Sequence, residues 1–501
     1  MYVTLHFDVE DTLYPPEART DDAAGWMAQA LSKAGLRGTF HVIGDKARAM
    51  VQRNRLDVLA LMAEHDIGLH TDSNLHPVVP ELVEGCGWAD GVAKLVDYER
   101  RAAEALRKAF WKAPVATSRH AVFTAPQSHG AAAAMKLPYV YSYARCPGHP
   151  GPVWYAGALS FPSHPGTPEA PAGHVSFGPE AALCCDDAFE ARMQALREEL
   201  DRRVAARLEH VSIFVGHPVR VQVKGWTEDE LYANGRNRTI EELGYAYEVR
   251  TPAEVERARV NFQRFCEWLR GRNDLQVIGI GRAAELFGQQ PASISRDALL
   301  GYCTDGGGEA AATPRLHPVF SPGELLLALA EAIVAAEGRG ALPRAVPRRT
   351  VLGPVEKPVL TPEKPFVTRE EFLALCRELL AAAEKTGHLP ANLSLGDSAR
   401  VGLGSLHAGC VAAFRAACAG EEIARMRLQR VPRYPAFAHE LDRAMRWTEE
   451  CGFLGPEFSA EKLCLHARLQ TWSLKPAHAR IPGAPCLEAG AFVPSNLVTK
   501  D

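Results

Sequence analysis

The chain has 501 residues, of which 47% are hydrophobic and 23% charged, with a formal net charge of −4 and an isoelectric point near 6.5. Such a composition suits a globular protein of about two or three domains and excludes long disordered stretches. The slight acidity excludes the basic footprint of a nucleic-acid binder.

No apolar run reaches the ~18 residues that a membrane span needs. Met1 is not followed by a basic and then apolar leader, so cytoplasmic residence is the expectation. The twelve cysteines are scattered, with Cys184 and Cys185 the one adjacent pair and no C-x-x-C. They read as thiols, not as a disulfide frame or a zinc knuckle.

From the start to residue 290 strand-like and helix-like patterns alternate, which predicts an α/β layer or barrel. Strands are expected at 2–8, 38–43, 67–70, 114–118, 138–143, 210–216 and 275–279. Helices are expected at 20–34, 46–64, 91–112, 186–207 and 252–270. Two excursions interrupt the alternation. Residues 144–183 are rich in Pro, Gly and His, and residues 219–251 are polar with the aromatics Trp226, Tyr232, Tyr245 and Tyr247. Long loops of this kind can shape a cleft or simply cover the surface.

Beyond 290 the alternation fades and Thr304-Asp305-Gly306-Gly307-Gly308 reads as part of a linker over 291–318. Residues 319–501 are expected to form a helical domain with a weak two-fold repeat. Phe320-Ser321-Pro322 opens one apolar helix that ends near Gly340-Ala341-Leu342-Pro343, and Val367-Thr368-Arg369 opens another that ends near Gly387-His388-Leu389-Pro390. Each unit is a Ser/Thr cap, an apolar helix and a Gly-x-Leu-Pro turn, at a period of roughly fifty residues.

The chemistry is concentrated near the N-terminus. Asp8-Val9-Glu10-Asp11 ends the first strand, where α/β folds usually place their reactive groups. His70 and His76 follow the short strand Ile67-Gly68-Leu69. Acids after a strand often cap a helix, and two histidines at this spacing often coincide by chance. Together, however, a carboxylate and two imidazoles make a donor set that leaves positions open on a divalent metal.

Three blocks in this order, Phe7-Asp8-Val9-Glu10-Asp11, Gly38-Thr39-Phe40-His41-Val42-Ile43-Gly44 and His65-Asp66-Ile67-Gly68-Leu69-His70-Thr71, resemble the NodB-type polysaccharide deacetylases of carbohydrate esterase family 4. Ser118-Arg119-His120 and Phe214-Val215-Gly216-His217-Pro218 extend the resemblance, which covers residues 2–285. It implies an α/β fold, a distorted (β/α) barrel of the NodB deacetylase type, here followed by the helical domain. It implies Asp8 as catalytic base, either Glu10 or Asp11 as the metal carboxylate, and His70 and His76 as the other ligands. Arg119 would hold the catalytic aspartate, and His217 would be the general acid.

The expected activity is therefore a metal-dependent hydrolase that removes an N-acetyl group from a sugar or glycan intermediate. Zinc is the first choice of ion, with cobalt, manganese, iron or nickel able to serve. The expected partner is an N-acetylated carbohydrate, with no nucleic acid and no membrane span, and a homo-oligomer is compatible. Hydrolysis of a non-sugar cyclic amide and an inactive deacetylase-like binding protein are the competing readings.

Overall fold

The computed structural model describes residues 1–119, 124–225, 228–244, 246–305, 312–361, 366–396, 399–422 and 424–480. Trp226, Tyr245, His120 and the run Gly306-Gly307-Gly308 lie outside them.

The α/β class expected from the alternation is what the chain adopts. Its main sheet contains β1 (Tyr2–Val9), β2 (Gly38–Val42), β3 (Asp66–Leu69), β4 (Ala116–Ser118), β5 (Tyr139–Ser142), β6 (Val153–Tyr155), β7 (Ala158–Pro162), β8 (His174–Ser176) and β9 (His210–Gly216). The short strand Lys475–Pro476 pairs with β6, and the order then runs β6-β7-β5-β4-β3-β2-β1-β9-β8, with Gln276–Val277 against the start of β1. Pairing from β5 through β4, β3, β2 and β1 to β9 and β8 is parallel throughout. The path has two ends, so the expected distorted barrel is a curled half-barrel.

Parallel strands need helical crossovers that cover the sheet. These are α1 (Asp21–Lys33), α2 (Gly44–Gln52), α3 (Leu56–Ala63), α4 (Val79–Val83), α5 (Trp88–Phe110), α6 (Pro126–Ala134) and α7 (Asp186–Ala205). The helix expected over 46–64 is two, because Arg53-Asn54-Arg55 breaks it, with Asn54 at φ 56°. Val3, Leu5 and Phe7 of β1 are completely buried against Phe40, Leu31, Met62, Phe262 and their neighbours in the largest core cluster. At roughly 25 cal/mol per Å² of apolar surface removed from water, this core is the main force that fixes β1 and the acids beyond it.

The excursion expected at 144–183 is more ordered than its Pro and Gly content suggests. It supplies β6, β7 and β8 to the sheet. These strands are only three to five residues long, and Gly157 at φ +83° makes the turn between two of them, so their period-two signal is too brief to read.

A second core gathers Ile294, Leu299, Leu325, Leu329, Phe372, Leu379, Leu406 and Phe414. The stretch expected as a linker is partly folded into it, since Ser293–Ser295 pairs with Ala345–Pro347 and the helix Arg296–Thr304 packs inside. Short hairpins therefore accompany the helices of this region, including Asn392–Leu395 with Ala399–Gly402.

The two repeat units share their local chemistry. Ser321 and Thr368 each accept a hydrogen bond from the backbone N–H three residues on, and Glu324 and Glu371 reach back to complete a capping box. Gly340 at φ +70° and Gly387 at φ +72° close the two helices in the left-handed region. The chain then returns to the first sheet at Lys475–Pro476. Lys475 Nζ is buried 2.7 Å from Glu324 Oε1, which binds that strand to the cap of the helix Pro322–Arg339.

Candidate active site

The sheet brings the C-terminal ends of β1 and β9 side by side, with that of β3 one strand away beyond β2. Asp8 is in register with His41 of β2, and Glu10 follows one residue past the strand. His70 directly follows β3 and His217 directly follows β9. Residues far apart in the chain converge because Asp8 sits near the end of a parallel strand and Glu10, His70 and His217 each sit one step beyond one.

Their contacts are close. His70 Nε2 lies 3.1 Å from Glu10 Oε2 and 3.7 Å from Asp8 Oδ2. His217 Nε2 lies 3.0 Å from Glu10 Oε1. The other face of each ring is also held: His70 Nδ1 is 2.6 Å from Ser118 Oγ, and His217 Nδ1 is 2.9 Å from Glu180 Oε1.

Burial disfavours charge on both imidazoles, but the carboxylates outweigh it. His70 is raised by Asp8 and Glu10, and His217, held by Glu10 and Glu180, is pushed up to about 10. Burial pushes Glu180 the other way from its bond to His217 and from Arg220, and these win, holding it at about 2.

Glu180 was not legible in the sequence, since it sits on a 3-10 turn within the Pro- and Gly-rich excursion. Gly216 makes its approach possible. That residue has φ +122°, and a Cβ there would lie 2.3 Å from Glu180 Cγ.

The remaining expected site residues are placed elsewhere. Asp11 turns to Lys46, whose Nζ is 3.4 Å from Asp11 Oδ2 and 2.5 Å from Asp21 Oδ1. Its other oxygen accepts the Leu13 backbone N–H. His76 is engaged at both nitrogens, by Glu81 Oε2 at 2.6 Å and by the Tyr232 carbonyl at 2.8 Å. Asn237 clasps its backbone from both sides, so His76 straps the 219–251 excursion to the loop after β3. Arg119 is 2% exposed and pairs with the wholly buried Glu99 at 2.7 Å, and it also donates to Thr117 Oγ1. The aspartate-holding role implied for Arg119 thus falls on an arginine that faces a different carboxylate.

A metal fits these residues in part. Glu10 and His70 are a carboxylate and an imidazole 3.1 Å apart, two donors of the kinds that divalent ions accept. Asp11 and His76 do not join them. Among the described residues no group of three or more His, Cys, Asp or Glu is arranged to hold a metal ion.

Beneath the site runs a row of buried imidazoles. His6 Nδ1 is 3.0 Å from His41 Nε2, and His6 Nε2 is 2.8 Å from Thr4 Oγ1, which also meets His210 Nε2 at 3.0 Å. Burial holds His6 and His41 well below the usual histidine range and His210 at about 3, so all three are neutral.

No protein-family model matches the chain, and no curated protein matches it. Solved structures do. Peptidoglycan deacetylase PdaC from Bacillus subtilis is 10% identical over 57% of this chain and 90% of its own, with a TM-score of 0.28. A family 4 acetyl xylan esterase from Clostridium thermocellum, in complex with a cobalt ion, is 12% identical over 57% of this chain and 92% of its own, with a TM-score of 0.28. Puue allantoinase is 10% identical over 57% of this chain and 90% of its own, with a TM-score of 0.35. Likeness at these scores is slight, and the case for a function stands on the chain's own residues.

Proposed function

We propose that the chain is a hydrolase that removes an N-acetyl group from a sugar or glycan intermediate, with Asp8 as general base and His217 as general acid. The observation that supports it is the convergence of Asp8, Glu10, His70 and His217 at the C-terminal ends of β1, β3 and β9, with Glu180 behind His217.

Asp8 is 6% exposed at the rim of this cluster, where a carboxylate can take a proton from an attacking water. The carbonyl carbon gains the hydroxyl, and the tetrahedral carbon then loses the sugar nitrogen. His217, charged in this setting, gives its Nε2 proton to that nitrogen, so that acetate and an amine leave. Glu180 keeps the His217 ring turned with Nε2 toward the site.

Glu10 and His70 are the residues that would hold a divalent metal, zinc first among the candidates, and both would exchange their mutual contact for it. Such an ion supplies Lewis-acid polarisation of the carbonyl and stabilises the oxyanion. Ser118 orients His70 from behind, as ligand histidines usually require.

Acetate release from a panel of N-acetylated sugars by the metal-loaded protein tests this reading. Release that is lost in Asp8→Asn supports it, and no release from any acetylated sugar contradicts it. A second reading, an inactive binding protein, is favoured by one feature: Asp11 and His76 are engaged with Lys46 and Glu81 and stand outside the donor cluster.

A further inference from the structure

Helix α5 carries a misfit on its buried face. Leu95, Glu99, Ala102 and Leu106 share the helical spacing of one apolar stripe, and all are completely buried. A carboxylate in such a row is costly unless it is paired and hydrogen-bonded. Glu99 Oε1 is both: it lies 2.7 Å from Arg119 Nη2 and accepts the Thr71 hydroxyl at 3.3 Å. Replacing a buried ion pair by apolar side chains is often neutral for stability, so stability alone does not account for this one.

The two partners of Glu99 flank the support of the His70 ring. Thr71 directly follows His70, and Arg119 directly follows Ser118, whose Oγ is 2.6 Å from His70 Nδ1. The Ser118 hydroxyl donates to the Leu69 carbonyl at 3.4 Å, so it accepts from the imidazole, and Nε2 is the nitrogen turned toward Glu10. Thr71 has φ 72°, where a β-branched residue is an outlier, and such strain persists only where the surroundings over-determine it. They do so here, because the Thr71 carbonyl accepts the Gly44 N–H at 3.0 Å while Glu99 holds the hydroxyl. Arg119 is anchored as firmly, donating to Thr117 Oγ1 at 2.6 Å and to the Ser118 carbonyl.

Building on the metal-dependent hydrolase reading, we infer that Glu99 is a positioning residue: its carboxylate ties the chain leaving β3 to the chain leaving β4 and so fixes His70 against Ser118, with Nε2 toward Glu10. The tie at Thr71 acts on the His70 backbone. The tie at Arg119 acts on the serine behind the ring. A helix that touches none of the reacting groups thereby sets the direction of the imidazole.

Substituting Glu99 alone would strand Arg119, so the test uses three other variants. Thr71→Val replaces the hydroxyl by a methyl group, Thr71→Ser keeps it, and the double variant Glu99→Met with Arg119→Met leaves neither charge. Cobalt affinity is read from the visible absorption of the ion, and the His70 hydrogen bond from exchange of its Nδ1 proton in NMR spectra of the metal-free protein, each beside a melting temperature. Support from behind a ligand histidine is worth about 10- to 100-fold in metal affinity, so T71V and the double variant should bind cobalt more weakly by that factor and exchange the proton faster. T71S should match wild type. Wild-type affinity and exchange in T71V overturn the inference, as does a loss shared by T71V and T71S that tracks lowered melting temperatures. Wild-type protein that binds no cobalt overturns the metal-dependent reading instead, and exchange of the His70 proton then still decides whether Glu99 positions the ring.

Discussion

Glu10 Oε1 lies 3.0 Å from His217 Nε2, although more than two hundred residues separate them in the chain. Because the other Glu10 oxygen meets His70, one carboxylate couples the strand ends of β3 and β9. The expected general acid and an expected metal ligand therefore share one anionic partner. Loss of the Glu10 charge should disturb both rings at once.

Replacement of His217 by Ala should lower kcat on an acetylated sugar by about 100- to 10,000-fold, the usual range for a general acid. Glu180→Gln should lose less, because the ring keeps its hydrogen bond but loses the charge that favours its protonated form. The two kcat values, measured on the same substrate, check the order. A larger loss in E180Q than in H217A would contradict the assignment of the proton to His217.

Arg119→Met should act on stability and only secondarily on turnover. It strands Glu99, which is completely buried, and breaking a buried pair costs about 3–5 kcal/mol. Urea unfolding measures it. A variant of wild-type stability with kcat abolished would instead place Arg119 at Asp8.

His76 and Glu81 make a strap whose strength follows pH. Burial lowers the His76 pKa, but Glu81 and the Tyr232 carbonyl raise it above the ordinary value. The stabilisation from the charged ring is thus complete below the unfolded pKa of ~6.5 and is lost as pH rises through the higher folded value. Burial raises Glu81, but His76 and the backbone N–H groups of Val78 and Gly455 lower it overall. Its share is present above the unfolded pKa of ~4.3 and is lost as pH falls through the lowered one. His76→Ala should therefore cost about 1–2 kcal/mol near pH 6, shrinking toward pH 9, in thermal melts. Its bound metal should match wild type, whereas His70→Ala should lose metal.

Lys475→Met probes the junction of the two cores. Lys475 is buried against Glu324, and Arg348 also pairs with that carboxylate at 2.7 Å. The substitution should cost about 3 kcal/mol, less than a fully orphaned charge because Arg348 remains. Melting at neutral pH checks this, and an unchanged melting temperature would show that the junction carries little stability.

The strands that lead to Asp8, His70 and His217 were legible because β1 and β9 are rich in β-branched and aromatic residues, and a place at the end of a parallel strand points to a reactive group. Helix caps at Ser321 and Thr368 were legible because their signal is local. Partner choice among buried charges was not. Nothing near Arg119 in the chain marks Glu99 on α5 as its partner, and nothing near Asp11 marks Lys46. Such pairings are set by how helices dock on the sheet. Glu180 was hidden for the same reason, since its approach to His217 depends on a backbone irregularity, a φ of +122° at Gly216, that composition does not announce.

Asp8 is proposed as the base of an acetyl-removing hydrolase. Acetate released from N-acetylated sugars by metal-loaded wild-type protein and by Asp8→Asn, at equal metal content, tests it most directly. Release by wild type and a loss of at least about 100-fold in D8N with metal retained are expected. Equal release by the two proteins would contradict it.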